Sequence, residues 1–392
     1  MENKAPIIKV LQREIKRISG NKTIYLLSIF LPFFLFTFLA YIYNEGVVRQ
    51  IPIAVCDMDN SELSHTYLQY IESTGSMRII GHVNSDDELI NEFKKGNIYA
   101  GIYIPSGLES QIKKNKSSEI VFYINSTNLI ISNTIFRDAT VITKNISGSI
   151  LLKKLRAKGI PADNVINMIN PVKIEVQSLY NPYYNYLVYL VPGLIPAMLQ
   201  MIIMLVSVLL ISSEFTHNTF DDLLETANYS IIAVFLGKSI PHLVIHIATM
   251  FGILGILYPV FGIYPSGNLL PVILLFISFI IASFFPGMAI STFVHDQLFA
   301  TEIALFINTP AFIFSGFVYP LWAMPGVHSA FSQLLPFTHF LEGFLKLFFI
   351  GVPFSEVNTE FFKLEIFILP SVLLTLLLLY YQKRKFLKCH IH

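Results

Sequence analysis

Four stretches of this chain are almost empty of formal charge, and nothing else in it constrains the fold so strongly. No Lys, Arg, Asp or Glu lies between Glu175 and Glu214, between Lys238 and Asp296, or between Glu302 and Glu342, and Lys22 alone interrupts the run from Arg17 to Glu45. A hydrocarbon core of about 30 Å is crossed by about 20 helical residues, so each run is long enough to span one. Mean hydropathy of +0.60, with 54% hydrophobic and 14% charged residues, sets the chain apart from soluble domains. The remaining charge gathers mainly in one insert, residues 45–182. A net charge of +1 gives no reason to expect nucleic acid.

The runs divide into six transmembrane helices. The first occupies residues 23–44 and follows Lys4, Lys9, Arg13, Lys16, Arg17 and Lys22, which places the N-terminus in the cytoplasm by the positive-inside rule. Residues 1–22 carry Ile7, Ile8, Val10, Leu11, Ile15 and Ile18 against those basic residues, the pattern of an amphipathic helix on the inner leaflet. The second span is 183–212, with a bent entry at Pro192 and Pro196. The turn residues Tyr264 to Asn268 split the next run into spans at 230–263 and 269–294. A fifth span at 298–318 follows His295 and Asp296. Residues 319–350 are apolar but broken by Pro320, Pro325 and Pro336 into pieces too short to cross, which reads as re-entrant helices on the outer side. The sixth span, 362–381, ends in a basic tail, 382–392. An even number of crossings puts both termini in the cytoplasm of a multi-pass cell (inner) membrane protein.

The insert is then extracytoplasmic. Strand-type runs at residues 51–55, 77–83, 98–104, 119–124 and 172–177 alternate with helical ones at 61–73, 86–95 and 129–158, the signature of an α/β domain. The fold class expected is a polytopic α-helical membrane protein with this α/β domain inserted after the first span. Cys56 and Cys389 fall on opposite sides of the membrane in this arrangement and cannot pair.

No catalytic constellation stands out. Gly237-Lys238-Ser239 lacks the upstream glycine of a phosphate-binding loop, because position 232 is Ile, so ATP is not bound through a P-loop of this chain. His242 and His246, spaced i, i+4, have no third imidazole or carboxylate beside them in sequence, and no metal or other cofactor is expected. Asp57 and Asp59 lack the glycine and bidentate glutamate of a calcium loop and read as a strand running into a helix cap. Glu302, Glu342 and Lys346 sit near span ends and could line a polar route. The most informative polar segment is residues 213–229. Thr219 with Asp222 has the form of a capping box, which would start a short helix presenting Leu223 and Leu224 on one side and Asp221, Asp222 and Glu225 to solvent. Exposed leucines beside acids suit a docking surface.

At three places the chain resembles the permease subunits of ABC-2 type exporters, in the subgroup with a large extracytoplasmic domain after the first span. The segment 214–241 keeps Glu214 and Thr219, and its Leu236-Gly237-Lys238 followed by Pro241 is similar to the family's L-G-K-x-x-P. Residues 314–320, with Met324-Pro325 and Leu335-Pro336-Phe337-Thr338, resemble its fifth span and re-entrant motif. Ile51 to Val55 with Asp57, Asp59 and Ser61 resembles the opening of its external domain. The resemblance implies a type V exporter-like fold without its own ATPase site. It also implies a separate ABC ATPase as partner, a second permease (an identical copy or a paralogue), and contact with membrane lipid and a periplasmic adaptor. Glu214, Thr219, Asp221, Asp222, Leu223 and Leu224 would form an ATPase-coupling helix, and Gly316, Pro320, Met324, Pro325 and Pro336 a re-entrant gate. The cargo expected is hydrophobic or lipid-like. A membrane-anchored binding or assembly protein, recruiting a partner through its external domain, is the alternative.

Overall fold

The computed structural model describes residues 5–159, 179–181 and 185–389, and the chain divides into two compact units, residues 47–178 and the remainder. The strand expected at 172–177 lies outside the described residues.

The larger unit opens with helix α1 (Pro6–Gly20), whose Pro6 sits at the first helical position where its missing N–H is no loss. Asn21 ends it and caps α2 (Lys22–Ile42), accepting from the Thr23 and Ile24 amides.

The smaller unit is a four-stranded sheet in the order β2-β1-β3-β4, built from β1 (Ile51–Asp57), β2 (Met77–His82), β3 (Ala100–Ile104) and β4 (Val121–Ile124). β1 runs parallel to both neighbours and β4 antiparallel to β3. Helices α3 (Glu62–Ser73), α4 (Asp86–Lys95), α5 (Leu108–Lys113) and α6 (Leu129–Ala157) complete it. Because β1 is internal, both of its faces are covered. Ile51, Ile53 and Val55 pack with Ile71 of α3 and with Ile135 and Ile142 of α6, while Ala54 packs with Leu89 of α4. Gly101 on β3 makes the second contact possible, since a Cβ there would lie 2.8 Å from Leu89. Asp57 and Asp59 are spent on local order. Asp57 accepts from the Ser64 hydroxyl (2.6 Å), and Asp59 accepts from the amides of Gly107 (2.7 Å) and Glu109 (3.1 Å). Ser61 caps α3 in a reciprocal box with Ser64.

The larger unit continues with α7 (Tyr186–Thr216), the short α8 (Phe220–Thr226), α9 (Ile231–Val260), α10 (Leu269–Phe293) and α11 (Gln297–Phe314). It ends with α12 (Gly326–Ser332), α13 (Pro336–Leu345) and α14 (Asn358–Cys389). Together with α2, the helices α7, α9, α10, α11 and α14 make six that are long and apolar enough to cross a membrane among the described residues. Four of the apolar runs that follow begin at a polar cap: Asn185 accepts from the Leu187 amide, Ser230 from Ala233, Asn268 from Leu270 and Asp296 from Phe299.

α7 and α10 form the centre of the bundle. A Cβ on Gly287 of α10 would fall 1.9 Å from the Ser207 hydroxyl oxygen and 3.1 Å from the Met204 carbonyl of α7, so the helices meet almost backbone to backbone. Phe276 and Phe279, two to three turns earlier in α10, interleave with Phe340 and Phe344 of α13, the Phe279 and Phe340 rings stacking at 4.0 Å. One buried amide pair, Gln200 Nε2 donating to Asn308 Oδ1 at 2.9 Å, ties α7 to α11.

The segment between α11 and α14 holds a 3₁₀ turn at Leu321–Ala323 and the helices α12 and α13. Gly316 has φ of +93°, a conformation that favours glycine, and Leu321 covers it. Pro320 and Pro325 stand at the caps of the 3₁₀ turn and of α12, and Pro336 at the first turn of α13, so each proline begins an element rather than breaking one. Lys346 bridges Glu360 (2.5 Å) and Glu342 (3.1 Å), tying the end of α13 to the start of α14 instead of leaving Glu342 and Lys346 to line a route.

Candidate functional site

One face of α1 is buried: Val10, Glu14 and Ile18, at i, i+4 and i+8. This stripe packs on α9, and the contact depends on Gly237, where a Cβ would stand 2.6 Å from Val10 Cβ and 3.2 Å from the Leu11 backbone nitrogen. The next residue, Lys238, is fully buried. Its ammonium lies 2.6 Å from Glu14 Oε2 and also donates to Glu214 Oε1 at the end of α7.

The two carboxylates are then surrounded. Arg13 grips Glu214 with both terminal nitrogens, at 2.9 and 2.8 Å, and the Thr219 hydroxyl donates to Glu214 Oε2 at 2.5 Å. Arg17 donates to Glu14 (3.3 Å), to the Leu209 and Leu210 carbonyls (3.2 and 3.3 Å) and to the Ser213 hydroxyl, closing the last turns of α7. The Nε2–H tautomer of His242 donates to Glu14 Oε1 at 3.0 Å. Burial alone would raise the Glu14 carboxyl, but Lys238, the His242 hydrogen bond and Arg17 outweigh it and hold the group well below the usual carboxylate range. Charges this deep persist only when paired and hydrogen-bonded. Here α1, α7 and α9 are joined through their most buried ions, around the turn that leads into α8.

Several site residues read from the sequence take different roles in this geometry. The capping box does not form: the Thr219 side chain makes no cap bond to α8 and serves Glu214 instead. Leu223 and Leu224 are not presented outward. Both are buried, at 0% and 2% exposure, in the core that also holds Val10 and Phe235, because a seven-residue helix wedged between two spans has an inner side that the bundle fills. The exposed side of α8 keeps Asp222 and Glu225, with Asp221 half-buried. His242 has a carboxylate partner after all, Glu14, brought from α1. Among the described residues no group of three His, Cys, Asp or Glu is placed to hold a metal ion.

Of the residues assigned to a re-entrant gate, Gly316 and Pro320 frame the turn under Leu321, with Met324 and Pro325 next to it. Pro336 lies apart from them. It lines an apolar cavity of about 650 Å³ with Gln200, Phe293, Ile303 and Leu374.

From sequence alone, Arg13 and Arg17 read as topology signals and Lys238 as part of a motif, while Glu14 is passed over. Two signals mark them. Glu14 is the single acid in an otherwise basic helix and keeps phase with Val10 and Ile18, and Lys238 is a lone cation opening a long apolar helix directly after a glycine.

Residues 22–380 match the family described as ABC-2 family transporter protein. The chain is 22% identical over 344 residues, 86% of its length and 87% of the other, to a protein of Escherichia coli (strain K12) named probable multidrug ABC transporter permease YbhS. It is 21% identical over 322 residues to the probable multidrug ABC transporter permease YbhR of the same organism, covering 82% and 83% of the two chains. ABC transporter G family member 20 of Dictyostelium discoideum matches at 22% over 330 residues, 81% of this chain and 43% of that longer protein.

Proposed function

The chain belongs to the ABC-2 transporter family, and from that premise we propose that it is the permease subunit of an exporter driven by ATP hydrolysis in a separate ABC ATPase. Two permeases, identical or paralogous, would enclose the path. The side carrying α1, α8 and the chain ends would be cytoplasmic, with residues 47–178 outside. The names of the bacterial relatives support this reading, as does the basic character of both termini.

The observation that carries the mechanism is the buried ion cluster linking α1, α7 and α9 around α8. The exposed acids Asp222 and Glu225 offer the contact to the ATPase. Leu223 and Leu224, packed inward, pass its displacement to the core, and Glu214 passes it to Lys238 and α1. A push on α8 then moves three helices together, because separating them would strand buried charge. Hydrophobic cargo suits the apolar cavity beside Pro336, which opens among α7, α10, α11, α13 and α14. Gly316, Pro320, Met324 and Pro325 shape the outer turn that would gate it, and a periplasmic adaptor would meet the external domain.

The test is purification with each ABC ATPase of the same cell, followed by ATP hydrolysis in lipid nanodiscs. A partner whose hydrolysis is stimulated by hydrophobic compounds is expected. If no ABC ATPase associates, and the chain instead retains another protein through residues 47–178, the anchoring alternative replaces this reading.

A further inference from the structure

Beside the ion cluster, and sharing Arg13, Arg17, Glu214 and Thr219 with it, lies a second feature. A cavity of about 620 Å³ opens between α1 and the starts of two spans, lined by Arg13, Lys16, Arg17, Asn21, Thr23 and Gln297 among others. Its arginines are already committed to Glu214, Glu14 and the α7 carbonyls. Four further donors are not. The Lys16 ammonium, the Asn21 amide NH₂, the Thr23 hydroxyl and the Gln297 side-chain amide make no hydrogen bond among the described residues, although all four side chains line the cavity. In this cluster Arg13, Arg17, Lys238 and Lys16 face only Glu14 and Glu214, so positive charge is in excess.

We propose that this cavity binds the phosphate of an anionic glycerophospholipid, with Lys16 as the charge and Asn21, Thr23 and Gln297 as the neutral donors. Depth favours a lipid over an acidic protein segment. The lining joins the second half of α1 to the first residues of α2 and α11 and the last turns of α7, and span ends of this kind are where headgroups would lie. The helices also continue from it with exposed apolar side chains, Tyr25, Leu26 and Phe30 on α2 and Leu298 on α11, along which acyl chains can lie. Basic pockets between spans at a cytoplasmic surface take anionic headgroups for the same reasons. The phosphate of a soluble phosphoester has the same chemistry but no chains to use that surface.

The inference rests on α1 lying at the membrane surface and not on any contact with an ATPase. Lipid retention is read on the purified permease alone, so failure here leaves the coupling reading intact and the reverse also holds. The full-length protein in detergent is titrated with phosphatidylglycerol, with phosphatidylcholine and with glycerol 3-phosphate, and bound lipid is counted by native mass spectrometry. Phosphatidylglycerol is expected to be retained over phosphatidylcholine. Lys16→Gln should weaken it about fivefold, the equivalent of about 1 kcal/mol per basic residue at an anionic surface, and Gln297→Ala should weaken it less. Both variants replace uncommitted side chains and should keep the parent melting temperature. Equal retention of the two lipids, or unchanged selectivity in both variants, overturns the proposal. Displacement of phosphatidylglycerol by equimolar glycerol 3-phosphate overturns it in favour of a soluble phosphoester.

Discussion

Replacing Lys238 by methionine tests whether the ion cluster holds α1 to the bundle. Methionine fills much of the same volume, so the change removes a charge and little packing. What remains is Glu14 and Glu214, buried at 0% and 2% exposure, with no cation between them. Removing one partner of a buried pair costs about 3–5 kcal/mol, because the other charge is left in a medium that cannot solvate it. Lys238 serves two carboxylates, which argues for the upper half of that range, with Arg13, Arg17 and His242 still supplying some compensation. Thermal unfolding in detergent, followed by size-exclusion chromatography, reads the loss, and limited trypsin cleavage within α1 locates it. The double variant Lys238→Met with Glu14→Gln should recover part of the loss, since it removes the orphaned charge along with its partner. Wild-type stability in Lys238→Met, or no recovery in the double variant, would refute the argument.

The sign of the pH response sharpens the same test. In the native protein the Glu14 carboxyl is held below its ordinary value, so its contribution is fully present above the unfolded carboxylate pKa of about 4.3 and fades only as pH falls through the lower folded value. Between pH 7 and pH 5 this group should leave native stability unchanged. In Lys238→Met the largest opposing influence is gone, so the Glu14 carboxyl moves upward from its depressed value while His242 and Arg17 still hold it down. Glu14 then protonates at a higher pH than in the parent, so the stability gap between Lys238→Met and the parent narrows on acidification. A gap that widens on acidification would show that Glu14 does not govern the response.

Gly237→Leu should detach α1 while leaving Lys238 in place, because the new side chain must occupy the space of Val10 and the Leu11 backbone; faster trypsin cleavage of α1 is the readout. Leu223→Ala should lower stability by about 2–5 kcal/mol, the usual range for a buried leucine, in the permease alone, where a residue serving only as a docking contact would have no effect. Asp222→Lys with Glu225→Lys should release the ATPase from a permease of unchanged melting temperature, and retained association would move the contact away from α8. A single cysteine at Asn218, in a chain with Cys56 and Cys389 replaced, should react with an impermeant maleimide only after the cells are opened; labelling of intact cells would invert the proposed topology.

The six spans were legible because lipid imposes a strong rule, and the charges and turn residues between apolar runs gave their approximate ends. Much of the inserted domain was legible from local patterning: the helix expected at 86–95 is α4, and the strand expected at 119–124 is shortened to Val121–Ile124. The site was far less so. Glu14 and His242 are 228 positions apart and Arg13 and Glu214 are 201 apart, and no periodicity within a window reports a pairing at that distance. Leu223 and Leu224 misled for a different reason. A short amphipathic helix has the same sequence whether its apolar side meets a partner or its own bundle, and only the fold distinguishes the two. Glycines of the same segment also differ in ways the sequence does not show: a Cβ at Gly326 would meet nothing within 4 Å, whereas at Gly343 it would reach Leu275 at 3.0 Å.

The pairing of Gly237 with Lys238 also explains why an amphipathic helix should be fixed by ions at all. Apolar contacts alone would let α1 slide along α9, since Ile, Leu and Val recur on several of its sides and a one-turn shift would still bury an aliphatic stripe. Ions remove that freedom. Moving α1 by one turn takes Glu14 away from Lys238 and His242 and leaves a buried carboxylate unpaired, so a single register is left with all its charges satisfied. A helix held in one register moves as a rigid lever with α9 and α7, whereas a sliding helix would dissipate a displacement applied at α8. The Glu14→Leu, Lys238→Met and Glu214→Gln triple variant separates these two properties. It removes the fully buried charges together, a replacement that is often neutral, and leaves Arg13 and Arg17, about a quarter exposed, to turn to solvent, so it should stay folded. Disulfide trapping between cysteines placed on α1 and α9 should nevertheless capture several registers in it and one in the parent. A triple variant confined to the parent register would mean that packing at Gly237 sets the alignment without help from the charges.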